Sequence, residues 1–139
     1  GIVSLIIDNL TRPNGLAFSP DEKTLYVAQS DPERAYLMAY PVLADGKVGK
    51  GKIFFDATPM VKQGLKGLPD GLKIDKKGNI FTTGPGGILV ISPLGKLLGK
   101  IETGESTANC AFGNDGSVLY ITADMYLLRI QTKTIGIGF

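Results

Sequence analysis

Short apolar runs punctuated by polar turn residues recur along this chain. Thr24-Leu25-Tyr26-Val27, Ile80-Phe81-Thr82 and Leu119-Tyr120-Ile121 are runs of this kind. Short runs rich in β-branched and aromatic residues, bounded by turn residues, predict β structure. No segment sustains the 3.6-residue period of an amphipathic helix. The chain therefore reads as all-β.

The pattern also repeats. Pro13-Asn14-Gly15-Leu16-Ala17-Phe18 is followed by Pro20-Asp21 and then Thr24-Leu25-Tyr26-Val27. Pro69-Asp70-Gly71-Leu72-Lys73-Ile74 is followed by Lys77-Gly78-Asn79 and then Ile80-Phe81-Thr82. Thr107-Ala108-Asn109-Cys110-Ala111-Phe112 is followed by Asn114-Asp115-Gly116 and then Leu119-Tyr120-Ile121. Each unit is a strand, a tight turn and a second strand. Further strands are expected over 36–42, 52–55, 87–91, 96–101 and 127–131. Val3–Ile7 is expected to be the outer strand of a preceding unit. Residues 43–48 and 56–67 read as loops, the second with room for one helical turn. The units recur after roughly 40 to 55 residues, and four-stranded antiparallel units at such a period are the signature of a β-propeller. The repeats fall near 9–56, 65–102 and 103–139. The whole chain, 1–139, thus reads as one partial propeller of about three blades, where a ring takes about four to eight.

Composition narrows the chemistry. Among 139 residues there are 19 glycines and 8 prolines, enough to punctuate many turns, and no histidine. His-based triads and His metal ligands are excluded. Cys110 is the single cysteine, which rules out an internal disulfide and a multi-cysteine metal site, and it is expected to pack as a small apolar side chain. Fifteen basic and 13 acidic residues leave a net charge of +2 with no basic run, so no nucleic-acid partner is expected. The longest apolar stretch, Ile88-Leu89-Val90-Ile91, is far below the ~20 residues of a membrane span. A soluble protein is expected, with no membrane partner and no visible signal peptide. A lone cysteine suits bacterial cytoplasm and periplasm equally.

In a propeller, the residue just ahead of each innermost strand sits at the mouth of the central channel. The aligned residues here are Asn14, Asp70 and Ala108. An amide oxygen and a carboxylate from adjacent blades suit a hard divalent cation, Ca²⁺ first, with Zn²⁺, Mg²⁺ or Mn²⁺ as alternatives. Taken singly, Pro-Asn-Gly and Pro-Asp-Gly are ordinary turn sequences. Their equivalent placement in two repeats is what carries the functional reading. Asn109 aligns with Gly15 and Gly71, which makes it a candidate substrate-lining residue. Ser30-Asp31 follows the second strand of the first unit and could reach the same region. Gly84-Pro85-Gly86-Gly87 lacks the lysine, hydroxyl residue and helix of a phosphate loop and reads as a hairpin turn. Tyr26, Phe81, Phe112 and Tyr120 are expected in the core between blades.

These segments resemble the family of senescence marker protein-30, gluconolactonase and luciferin-regenerating enzyme. The resemblance rests on Arg12 to Asp21, on Leu68-Pro69-Asp70-Gly71-Leu72 with Asp75, Gly78 and Asn79, and on Thr107 to Gly113 with Leu119-Tyr120-Ile121-Thr122. It covers nearly the whole chain and matches the family's C-terminal half. It implies a six-bladed propeller that hydrolyses lactones with one divalent metal. It also implies that Asn14 is a metal ligand and that Asp70 is both ligand and general base. The family's further ligands, a glutamate near its N terminus and a second asparagine, have no counterpart in these residues. Two alternatives stay open: a non-catalytic propeller scaffold or inactive half-ring, and an organophosphate-hydrolysing propeller. Ring closure would come from a complementing N-terminal half or from a second copy of this chain.

Overall fold

The computed structural model describes residues 1–139. Eleven strands form three antiparallel sheets, each a simple meander. The first holds β1 (Pro13–Phe18), β2 (Thr24–Gln29), β3 (Tyr36–Pro41) and β4 (Lys52–Asp56). A single turn of helix, α1 (Thr58–Lys62), leads to the second, made of β5 (Leu72–Ile74), β6 (Ile80–Gly84), β7 (Gly87–Ile91) and β8 (Leu97–Glu102). The third holds β9 (Thr107–Gly113), β10 (Val118–Ala123) and β11 (Tyr126–Gln131). Sequential meanders stacked face on face, with their first strands side by side, make the chain a partial β-propeller of three blades.

Burial explains why the blades differ in sequence. The middle blade is covered on both faces, so β6 and β7 are almost uniformly buried, and β7 reads as a continuous apolar run. On one side Leu72, Ile74, Ile80, Leu89 and Ile91 pack against Tyr26, Ala28, Leu37 and Ala39 of the first blade. On the other, Phe81 and Ile88 pack against Cys110, Leu119 and Ile121 of the third. Each fully buried Leu or Ile contributes about 1.5–3 kcal/mol, and the two seams hold most of them. One edge-to-face pair, Phe81 on Phe112 with centroids 5.2 Å apart, joins the second and third blades, and another, Tyr26 on Phe54 at 4.9 Å, stiffens the first blade. The third blade has one free face, and its β10 alternates accordingly, whereas the outer face of the first blade is covered in part by Ile7, Leu10, Val42 and Val48. Leu127, on the free face of the third blade, is 72% exposed.

The expected strand over Val3–Ile7 does not form. Residues 1–10 carry no regular structure, and eleven strands stand where twelve are expected. Without a neighbouring strand to accept its hydrogen bonds this segment cannot extend a sheet; only Ile7 and Leu10 pack, against Leu25, Val27 and Tyr40 of the first blade. Tyr120 also departs from expectation. It is half-buried, and its hydroxyl donates to Asn114 Oδ1 at 2.9 Å on the free face of the third blade instead of entering a seam. Its neighbours Leu119 and Ile121 point the other way, as the strand period requires. The Gly84–Gly87 segment is the expected hairpin turn, with Gly84 paired to Gly87. Cys110 is buried and free.

Beyond β11 the chain crosses back to the middle blade. Lys76 N–H donates to Ile135 O at 2.9 Å and Ile137 N–H to Ile74 O at 3.0 Å. Thr134 Oγ1 donates to the fully buried Asp75 carboxylate at 2.7 Å. No helix is long and apolar enough to cross a membrane.

Candidate active site

The three aligned residues share a local cause: each lies where the ladder of its blade is interrupted. In β1 the register shifts between Pro13, opposite Gln29, and Leu16, opposite Val27. Asn14 and Gly15 therefore form a bulge, a device that re-aims side chains at sheet rims. In β9 the register shifts between Thr107, opposite Ala123, and Asn109, opposite Thr122, which leaves Ala108 unpaired. In the second blade β5 starts only at Leu72, and Asp70 lies outside the strand. There the backbone ladder is continued by a side chain. Thr83 N–H donates to Gly71 O at 2.9 Å, and the Asp70 N–H then donates to Thr83 Oγ1 at 2.9 Å.

Glycines draw these rims together. A Cβ placed on Gly15 would overlap the backbone carbonyl of Asp70, so the first and second blades touch main chain to main chain. A Cβ on Gly71 would overlap the Asn109 side chain, and Gly71 N–H donates to Ala108 O at 2.9 Å. The segments carrying Asn14, Asp70 and Ala108 are thus consecutive neighbours along the inner edges of the three blades.

Their side chains are not all gathered in one cavity. Asp70 lines a cleft of about 380 Å³ with Ser30, Gly67, Leu68, Ser106, Thr107 and Ala108. Ser30 enters from the first blade and donates through Oγ to Pro69 O at 2.7 Å. Asn14 is exposed and does not line that cleft. Asn109 lines a different cleft of about 290 Å³, with Lys73, Ala111, Tyr120, Thr122 and Leu127 among its walls. The Asn109 Oδ1 accepts the Cys110 N–H at 2.9 Å. Asp70 is half-buried, and desolvation pushes its carboxyl above the ordinary carboxylate range. Thr83 is the residue of this region that the sequence pattern does not flag. The signal was a pair of hydroxyls, Thr82-Thr83, at the end of an otherwise apolar strand.

The donor chemistry bears on the implied metal. Asn14 and Asp70 offer an amide oxygen and a desolvated carboxylate, both hard donors of the type that divalent cations take. No group of three or more His, Cys, Asp or Glu side chains that could hold a metal is gathered anywhere in the chain. The set fits part of a cation site, since Ca²⁺ takes about six to eight oxygens.

Comparison with known proteins agrees with this architecture. A gluconolactonase of Zymomonas mobilis is 42% identical over 145 aligned residues, covering 98% of this chain and 39% of that protein. The structure of a gluconolactonase from Xanthomonas campestris superposes with a TM-score of 0.78 at 34% identity, over 90% of this chain and 39% of that one. That of regucalcin from Agrobacterium tumefaciens, described as a calcium-binding protein, superposes with a TM-score of 0.77 at 27% identity, over all of this chain and 51% of that one. The chain therefore spans about two fifths to one half of the length of these proteins. The model of the SMP-30/Gluconolactonase/LRE-like region matches residues 1–124, and the chain belongs to that family.

Proposed function

We propose that the protein is a lactone hydrolase of the gluconolactonase kind and that Asp70 is its general base. The observation that carries this reading is the placement of Asp70. Its carboxyl is desolvated, stands at the inner rim of the blades and faces a cleft walled by Ser30, Ser106 and Thr107. The gluconolactonases of Zymomonas and Xanthomonas supply the reaction class.

In this scheme the oxygen of a water molecule attacks the lactone carbonyl carbon and the water's proton passes to the Asp70 carboxylate. The ring C–O bond then breaks, the departing alkoxide takes the proton back from Asp70, and a hydroxy acid is released. A carboxylate positioned beside the attacking water can take its proton as the bond forms. No histidine and no nucleophilic side chain is required, which suits a chain without histidine. A divalent cation held by Asn14, Asp70 and ligands beyond these two would polarise the carbonyl, Ca²⁺ being the first choice by donor chemistry. The hydroxyls of Ser30 and Ser106 are placed to hydrogen-bond a polyhydroxylated ring, while the Thr83 and Ser30 bonds hold the Asp70 segment in place.

The test is lactone hydrolysis with and without chelator, in wild type, Asp70→Ala and Asn14→Ala, in a protein that carries the complete ring. Asp70→Ala is expected to lower kcat by about 100-fold or more, as removal of a general base does. Asn14→Ala is expected to raise the metal concentration needed for half-activity. Undiminished metal-dependent activity in both variants would sink the assignment and leave a scaffold that uses these residues as turns.

A further inference from the structure

We propose that Thr83 is the positioning residue of the site: its hydroxyl takes over the ladder of β6 at the point where the main chain leaves it, and so fixes the Asp70 segment over its cleft. This inference rests on the role given to Asp70 above.

Three bonds make the clamp. The Thr83 N–H donates to Gly71 O at 2.9 Å, its Oγ1 accepts the Asp70 N–H at 2.9 Å, and the same hydroxyl lies 3.4 Å from Leu68 O, to which it donates. Asp70 is thus bracketed by one residue of a neighbouring strand, its hydroxyl on the Leu68–Asp70 side and its main-chain N–H on the Gly71 side. Thr83 is completely buried. A hydroxyl in such a place needs partners, since an unmade bond to a buried polar group costs about 1–3 kcal/mol. Here all of its partners are atoms of the segment that presents Asp70.

The repeat supplies an internal control. Leu72 lies opposite Thr82 and Leu16 opposite Val27, so Thr83 in the second blade aligns with Ala28 in the first. Ala28 has no hydroxyl to give, and the Asn14 segment closes its ladder by a bulge instead. The aligned residue of the third blade, Thr122, donates its hydroxyl to Asn109 O at 3.2 Å and accepts no amide from the Ala108 turn. The hydroxyl-to-amide bond therefore occurs only where the turn carries a carboxylate.

Thr83→Val, which keeps the shape and removes the hydroxyl, and Thr83→Ser, which keeps the hydroxyl, separate positioning from packing. In the first arm, amide hydrogen exchange is followed by NMR in this chain. Thr83→Val is expected to speed exchange at Asp70 about tenfold or more, with the amides of Leu89 and Ile91 in β7 unchanged, and Thr83→Ser is expected to restore protection. Unchanged exchange at Asp70, equal quickening across β7, or no rescue by serine would overturn the proposal. If Thr83→Val does not fold, Thr83→Cys, whose sulfur is a weak acceptor, takes its place in the same comparison. In the second arm, lactone hydrolysis is measured in the ring-forming protein. A fall in kcat of about tenfold with KM unchanged in Thr83→Val, recovered by serine, supports the role. Unaltered kcat despite quickened exchange at Asp70 overturns it. A wild type without lactonase activity overturns the functional reading, and the exchange arm alone then decides whether Thr83 is the clamp.

Discussion

Gly15 of the first blade lies so close to Asp70 of the second that a methyl group on Gly15 would overlap the Asp70 carbonyl oxygen and crowd the Gly71 Cα at 2.9 Å. No positive φ is recorded for Gly15, so the requirement is the close approach itself and not an unusual backbone conformation. Gly15→Ala must push main chain away from main chain, which has no flexible end to yield. A destabilisation of about 1–3 kcal/mol is expected from this overpacking, measured by denaturant unfolding. Because the displaced group is the Asp70 segment, lactonase activity should fall more than stability alone explains. A variant as stable as wild type would show that the rims do not touch.

Thr134 gives the C-terminal tail a side-chain anchor beside its backbone bonds. Asp75 is fully buried, and its carboxylate accepts from Lys77 N–H, from the backbone and side-chain amides of Asn79, and from Thr134 Oγ1. The first three belong to its own turn; Thr134 alone comes from the tail. Thr134→Val removes a bond to a charged acceptor, worth about 1.5–3 kcal/mol. The expected result is a loss of stability in that range with faster amide exchange at Gly136 and Ile137, whose N–H groups bond to Gly116 O and Ile74 O. Exchange unchanged at those two amides would show that the tail is held by its other bonds.

Much of this architecture is legible in the residues. The apolar runs of β2 and β10, the turn at Lys77-Gly78-Asn79 and the threefold recurrence of a strand, a turn and a strand are local, and local chemistry decides them. The alignment of Asn14, Asp70 and Ala108 is legible too, since all three fall where strand pairing is interrupted. What the pattern does not carry is the environment. Val3–Ile7 has the composition of a strand but no partner strand, and pairing is not a local property. Tyr120 alternates as a core aromatic should, yet its face of the third blade is free. Thr83 looks like an ordinary strand residue until its hydroxyl is traced to Asp70, thirteen positions away in the chain.

Tyr40 offers a test with the opposite sign. Its ring is only 3% exposed and lies against Gly51, where a Cβ would overlap it. Its hydroxyl is buried without a hydrogen-bond partner. Burial alone pushes the phenol above its ordinary range. Tyr40→Phe removes an oxygen that is desolvated for no return, so it should leave stability unchanged or raise it by about 1 kcal/mol. Thermal unfolding reads this directly, and a clear loss of stability would mean that the hydroxyl is bonded after all.

Cys110 ties a pH dependence to the seam between the second and third blades. The thiol packs with Phe81, Ile88, Leu119 and Ile121, its Sγ lies 3.5 Å from Phe81 O, and desolvation pushes it up to about 11 from 9.0, with a smaller opposing pull from Lys73. The sign follows from proton binding. Below pH 9 both folded and unfolded chains keep the thiol protonated, and stability does not depend on it. Between pH 9 and about 11 the unfolded chain ionises first, so the folded state loses relative stability as pH rises, by about 2–3 kcal/mol at most. Lysines and tyrosines titrate over the same interval, so the quantity to measure is the difference between wild type and Cys110→Ala. That difference should shrink as pH rises through this window and stay constant from pH 6 to 8. A difference independent of pH up to 11 would place the thiol in contact with water, and with it the seam that Cys110 helps to seal.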